Sequence, residues 1–161
     1  MITVELKPSE VSLALYLSTV RNSVNLGLSV NDKQMGKEDG LKIASDGLIA
    51  ELAVCKYFNV YPDLSFDPRS GGYDCIINGK KVDVKSTRFN KTTVYLPERK
   101  KYNVIDRYIW CWVDFRKVVL VGWFAPNEIF LEENLTQSPR PDERHYCIDL
   151  NKAHKFKERH E

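Results

Sequence analysis

Gly71–Thr87 reads GGYDCIINGKKVDVKST, and the fold follows from how this stretch pairs with itself. Asn78-Gly79 is a dipeptide favoured in two-residue type I′ turns, where both central residues need φ > 0. A hairpin closed there sets Ile77 against Lys80, Ile76 against Lys81, Cys75 against Val82 and Asp74 against Asp83. Opposed residues, and residues two apart on one strand, project from the same face of a sheet. Asp74, Asp83 and Lys85 are therefore expected on one face, with Cys75, Ile77, Val82 and Val84 on the other. Two opposed carboxylates roughly 5 Å apart repel by about 3 kcal/mol at an effective dielectric of about 20, and by under about 1 kcal/mol in full solvent. With partial burial, a divalent cation between them turns that repulsion into a binding site, and Lys85 adds a charge aimed at an anion. A bulge at the glycine would shift this register by one residue.

Upstream of the hairpin, Leu41, Ala44, Leu48, Leu52 and Cys55 recur at helical spacing as far as Phe58. Gly36, Gly40 and Gly47 each weaken that helix by roughly 1 kcal/mol relative to alanine, and a glycine kept in mid-helix suggests close approach of another backbone. Glu51 falls beside Leu48, Leu52 and Cys55 on the apolar stripe, the wrong place for an unpaired carboxylate. Further back, Ile2 to Leu6 suits a short strand, and Pro8-Ser9-Glu10 opens a mostly apolar helix reaching about Asn22, whose role is packing. Asn31 to Gly36 and Tyr61 to Ser70 read as loops.

Downstream, Thr92 to Leu96 suits a strand, and Pro97 opens a short basic helix or turn carrying Arg99, Lys100 and Lys101. Tyr108 to Val113 and Val118 to Trp123 are apolar, β-prone runs expected as interior strands of the same sheet. Asn127 to Leu135 suits a short helix or turn and Gln137 to Arg144 a polar loop. His145 to Leu150 reads as an edge strand, and the charged tail after Lys152 as helical or frayed. One layer of helices against a mixed sheet gives an α/β (α+β) domain.

A chain of 161 residues is expected to form one domain, with its core at about 36–124 and a charged tail at about 151–161. A net charge of +2 does not diagnose a nucleic-acid partner, so any basic surface must be local. Cys55, Cys75, Cys111 and Cys147 form no CxxC pair, which argues against a zinc ribbon or redox motif and for reduced thiols in a cytoplasmic protein. The apolar run Leu13–Val20 is too short to span a bilayer, so no membrane partner is expected. P-loop, GxGxxG, GxSxG and HExxH motifs do not occur, which removes the common nucleotide, dinucleotide, serine-hydrolase and zincin readings.

The order of Glu51 on a helix, then Asp74, then Asp83-Val84-Lys85 on the next strand resembles the PD-(D/E)XK nuclease superfamily. Gly47-Leu48-Ile49-Ala50-Glu51 is similar to its first motif, Asp74 to its second, and Asp83 with Lys85 to its D-x-K. The likeness covers about Gly36 to Thr87, with strands at 108–123 completing the sheet. Two departures stand out: Tyr73 rather than proline precedes Asp74, and only eight residues separate the aspartates. Ser86 or Thr87 is the candidate for the extra polar side chain used in some branches.

The resemblance implies a restriction-endonuclease-like core, with a central mixed β-sheet flanked by helices. It also implies a metal-dependent DNA endonuclease. Asp74, Asp83 and the Val84 carbonyl would bind Mg²⁺ or Mn²⁺, hard cations that take oxygen ligands, and Glu51 would complete the site. Lys85 would orient the attacking water or stabilise the phosphate, with its pKa lowered by the bound cation. Arg69, Arg88, Lys91, Arg99, Lys100 and Lys101 are candidates for phosphate contacts, and such a run also suits a plain solvated face. Trp110, Trp112 and Trp123 are expected in the core, with base stacking the alternative. No role is expected for His145, His154 or His160.

The expected partner is DNA, branched DNA or RNA included, cut by a homodimer if both strands are cleaved. Size and fold analogy suggest a phage, mobile-element or repair nuclease, in the host cytoplasm if viral. Two competitors remain: a non-catalytic nucleic-acid-binding or assembly protein keeping the same fold, and a structural or inhibitory protein with no nucleic-acid role. On the plainer reading, Lys80, Lys81 and Lys85 balance Asp74 and Asp83 on a solvated hairpin, and Glu51 pairs with Lys56 or a neighbouring strand.

Overall fold

The computed structural model describes residues 1–27, 40–66, 72–87, 90–137 and 143–157. The hairpin forms as expected: β2 (Cys75–Ile77) pairs antiparallel with β3 (Lys80–Thr87), Cys75 against Val82 and Ile77 against Lys80. Asn78 and Gly79 both take positive φ, 50° and 74°, the pair of values a type I′ turn needs. β3 runs parallel to β5 (Arg107–Asp114), which places Asp83 beside Tyr108 and Lys85 beside Trp110. β6 (Lys117–Phe124) returns antiparallel, and β1 (Ile2–Glu5) closes the far edge, so the sheet order is β1-β6-β5-β3-β2.

α1 (Pro8–Gly27) and α2 (Gly40–Phe58) pack on each other and cover one face of this mixed sheet. α1 runs past the expected end at Asn22. The apolar cluster on this side joins Leu48, Leu52 and Cys55 of α2 to Cys75, Ile77, Val82, Val84 and Ile109 of the sheet. β1 and α1 contribute Val4, Val11 and Leu17, so the core begins well before residue 36. At Gly47 the expected close backbone approach is absent, since an added Cβ would meet nothing within 4 Å. Gly36 lies outside the described residues.

The other face is covered by a second sheet rather than by helices. β4 (Thr93–Pro97), β8 (Arg144–Asp149) and β7 (Leu135–Gln137) form it in the order β4-β8-β7. The segment read as an edge strand, β8, is therefore the middle strand. Its His145, Tyr146 and Ile148 are buried, and it is flanked on both sides because β7 forms between the expected turn at 127–135 and the expected loop at 137–144. Tyr108, Trp110, Val121 and Phe124 of the large sheet pack there with Leu96, Tyr146 and Ile148. α3 (Pro126–Ile129) and short 3-10 turns at Glu98–Tyr102, Glu132–Asn134 and Leu150–Lys152 join the strands. No described helix is long and apolar enough to cross a membrane.

The tail is neither helical nor frayed over its described part. Trp123 and His154 exchange backbone hydrogen bonds of 3.0 Å each way, beside β6 where β1 has ended. Phe156 then packs edge-on against Phe58 and Tyr57 of α2, with ring centroids 5.6 and 6.2 Å away.

Candidate active site

α2 and the hairpin meet at Cys55 and Cys75, both buried thiols of the same apolar cluster. Glu51 lies one helical turn before Cys55, and Asp74 lies one residue before Cys75, so this contact brings the two acids to one place. All four cysteines are free thiols.

Asp74 stands just outside β2, and the expected pairing of Asp74 with Asp83 does not form. Its N–H donates to the Val82 carbonyl at 2.8 Å, the carbonyl of the residue opposite Cys75. Two successive residues facing one is the mark of a bulge, placed here at Asp74 rather than at the turn. The freed carboxylate turns along β3, and its Oδ2 accepts the Val84 N–H at 2.6 Å. The charges still reach one another: Asp74 raises the pKa of Glu51, and Asp83 raises that of Asp74.

Asp83 is buried, with 3% of its surface exposed. Its Oδ1 takes a short contact from the Lys85 ammonium. Its Oδ2 has no hydrogen-bond partner, and Lys100 Nζ stands 3.5 Å from it. The Val84 carbonyl, expected as a metal ligand, faces Lys85 Nζ at 3.4 Å. Glu51 pairs not with Lys56 but with Arg21 of α1, at 3.6 Å from Nη1 to Oε2. Lys56 instead holds Glu10 at 2.8 Å. Arg21 also donates to the carbonyls of Asp63 and Ser65, at 2.7 and 3.0 Å, and so ties the loop after α2 to the same place.

Burial, with Asp74 beside it, pushes the Glu51 carboxyl up to about 8 against the pull of Arg21 and Lys85. Burial and then Asp83 push Asp74 up to about 6, although Lys85 and the Val84 N–H oppose it. For Lys85, burial acts downward, but the charges of Asp83 and Asp74 outweigh it and hold the ammonium above its ordinary value. The acids beside Lys85 thus act opposite to the lowering expected from a bound cation.

Among the described residues, no three His, Cys, Asp or Glu side chains are already gathered as a ligand group. Lysines instead hold Asp83, and a backbone amide holds Asp74. The donor set nevertheless fits a hard dication. Its groups are carboxylate oxygens, and Asp83 Oδ2 is a buried acceptor with no hydrogen bond, which a native protein rarely leaves so.

Of the described basic residues expected at phosphates, Lys100 alone joins the acids. Arg69 and Arg88 lie outside the described residues. Arg99 is exposed and pairs with Glu143 at 2.5 Å, while Lys91 and Lys101 are exposed. Trp110 is buried as expected. Trp112 is half-buried and donates to the Lys91 carbonyl at 3.3 Å. Trp123 is sandwiched, with Arg107 4.1 Å from its ring centre and His154 stacked at 4.4 Å. His154, for which no role was expected, also contacts Glu128 at 2.6 Å.

Sequence reasoning missed Arg21 and the placing of Lys100. Arg21 did carry a signal, being the only basic residue in α1 with no acid three or four positions away to pair with. Lys100 carried none, because a 3-10 turn gives no periodicity from which to aim a side chain. Searches against family models, curated proteins and solved structures return no match.

Proposed function

We propose that the chain is a metal-dependent phosphodiester hydrolase acting on DNA, with Glu51, Asp74, Asp83 and Lys85 as its site. The supporting observation is the electrostatic coupling of three acids from two separate elements around one protonated lysine, with Asp83 Oδ2 left without a hydrogen bond. Burial of like charges this close is unfavourable for stability alone, and perturbed acids gathered in one place are a common sign of function. In this reading the five-stranded sheet with α1 and α2 on one face is a restriction-endonuclease-like core.

Mg²⁺ or Mn²⁺, when bound, supplies the positive charge that activates water and neutralises the phosphate in phosphodiester hydrolysis. Asp74 and Asp83 would hold it, with the Val84 carbonyl and Glu51 completing the set. Lys85 stays charged, orients the attacking water and meets the negative charge that develops on the phosphate. Cutting both strands needs a second copy of this site, hence a homodimer.

One observation favours a second reading, a nucleic-acid-binding protein that keeps the fold without the chemistry: Lys85 and Lys100 already neutralise Asp83. A cleavage panel of supercoiled plasmid, branched DNA and single-stranded RNA separates the two. The hydrolase nicks at least one substrate in Mg²⁺ or Mn²⁺, stops in EDTA, and loses about 100-fold or more in rate with Lys85→Ala, a variant first shown to be folded by circular dichroism. Salt-dependent DNA binding without any nicking supports the second reading. Neither nicking nor binding ends both.

A further inference from the structure

Lys100 reaches Asp83 from a part of the chain built to aim it. The 3-10 turn Glu98–Tyr102 is tied to β8 by Glu98 with Arg144, at 2.9 and 2.7 Å, and to the residue just before β8 by Arg99 with Glu143. Tyr108, fully buried and next to Asp83 in the register, donates its hydroxyl to the Lys100 carbonyl at 3.3 Å. Lys101, one residue on, is exposed, whereas the Lys100 side chain is 28% exposed and turned inward. A lysine that served only as surface charge would not need this scaffold.

The contact itself is also particular. At 3.5 Å with no hydrogen bond, Lys100 balances the charge on Asp83 Oδ2 without being fastened to it. Arg21 stands against Glu51, and Lys85 and Lys100 both stand against Asp83, so cations surround the acids of the metal-free site. A dication on Asp83 Oδ2 and the ammonium of Lys100 cannot share that oxygen, because their charges repel over a few ångström.

The geometry points to Lys100 as a latch: it competes with the divalent cation for Asp83 and lets go when a substrate phosphate offers its ammonium another partner. This rests on the hydrolase reading and adds how that site is controlled. Metal and polyanionic substrate then bind cooperatively, each easing the other's entry by the same factor. Free protein takes up metal weakly, and Lys100 ends as a phosphate contact only in the loaded complex.

The test is calorimetric titration of the full-length protein with Mn²⁺, with and without a phosphorothioate DNA duplex that resists cleavage. Lys100→Met, which removes the charge and keeps the stem, should tighten Mn²⁺ binding to free protein by about tenfold or more, whereas Lys100→Arg stays within about twofold of wild type. The duplex should tighten Mn²⁺ binding to wild type by about tenfold and lose that effect in Lys100→Met. Should Lys100→Met fail to fold, Lys100→Gln replaces it, and the duplex effect in wild type needs no variant. Equal Mn²⁺ affinity for wild type and the uncharged variant, with binding still lost in Asp83→Asn, overturns the latch and leaves the hydrolase reading intact. No Mn²⁺ binding even with the duplex present, or binding indifferent to Asp83→Asn, overturns both.

Discussion

Glu51 shows how a single residue can oppose the stability of its own fold. Its carboxyl, pushed to about 8 from an ordinary 4.5, holds a proton that the unfolded chain releases, and Asp74, pushed to about 6 from 3.8, does the same over a lower range. The folded state therefore binds more protons than the unfolded one between about pH 4 and 8. The stability these two groups contribute is fully present below that window and is lost as pH rises through it. Glu51→Gln, which cannot ionise, should be about 2 kcal/mol more stable than wild type at pH 9 and nearly equal at pH 5, allowing for the lost Arg21 contact. Urea denaturation of metal-free protein at the two pH values checks this; equal differences at both would mean Glu51 ionises freely. At this scale the sequence was informative about Glu51, since a carboxylate on an apolar stripe demands an explanation. It left Arg21 without an acid on its own helix but did not name Glu51 as its partner, because the contact spans two helices.

Among the elements, β6 carries a constraint that no periodicity reveals. Gly122 lies opposite Trp110, and a Cβ there would stand 2.6 Å from both the Ala153 Cβ and the His154 carbonyl oxygen. One of those atoms is backbone, held by the reciprocal Trp123–His154 hydrogen bonds, so it cannot move aside cheaply. Gly122→Ala should therefore destabilise by about 2 kcal/mol, read as a lower urea midpoint at unchanged slope. An unchanged midpoint would show that the tail does not sit against β6 in solution. The hairpin at Asn78-Gly79 behaved as its turn chemistry required, since the preference is carried by two adjacent residues. The bulge at Asp74 was not legible in the same way: it is made by a side chain finding an amide ten residues on.

The molecule as a whole is a sheet with two differently covered faces, and the site lies where the α2 side meets the hairpin while Lys100 arrives from the opposite cover. The tail helps to join the parts. Phe156 reaches Phe58 and Tyr57, and the Tyr57 hydroxyl donates to the Lys157 carbonyl at 2.9 Å. Phe156→Ala should lower the unfolding free energy by about 1.5 kcal/mol, below the full cost of a buried phenylalanine because the ring is only half-buried. Thermal denaturation is sufficient to measure it, and no change would return the tail to the frayed segment its charge suggested. The second sheet was unforeseen because β4, β7 and β8 are short strands joined to one another through long-range pairing, which leaves little mark on local sequence.

By itself the sequence determined the turn, the strand register as far as Cys75, the helical stripe bearing Glu51, and the two apolar strands at the sheet's centre. Each is a local or periodic property, governed by backbone preference and by which face can leave water. Tertiary structure alone decided the escape of Asp74 from the ladder, the pairing of Glu51 with Arg21, the placing of Lys100 against Asp83, and the sheet behind Tyr108. Those depend on charges and amides brought together from distant parts of the chain, whose interaction energies exist only once burial has removed the water between them.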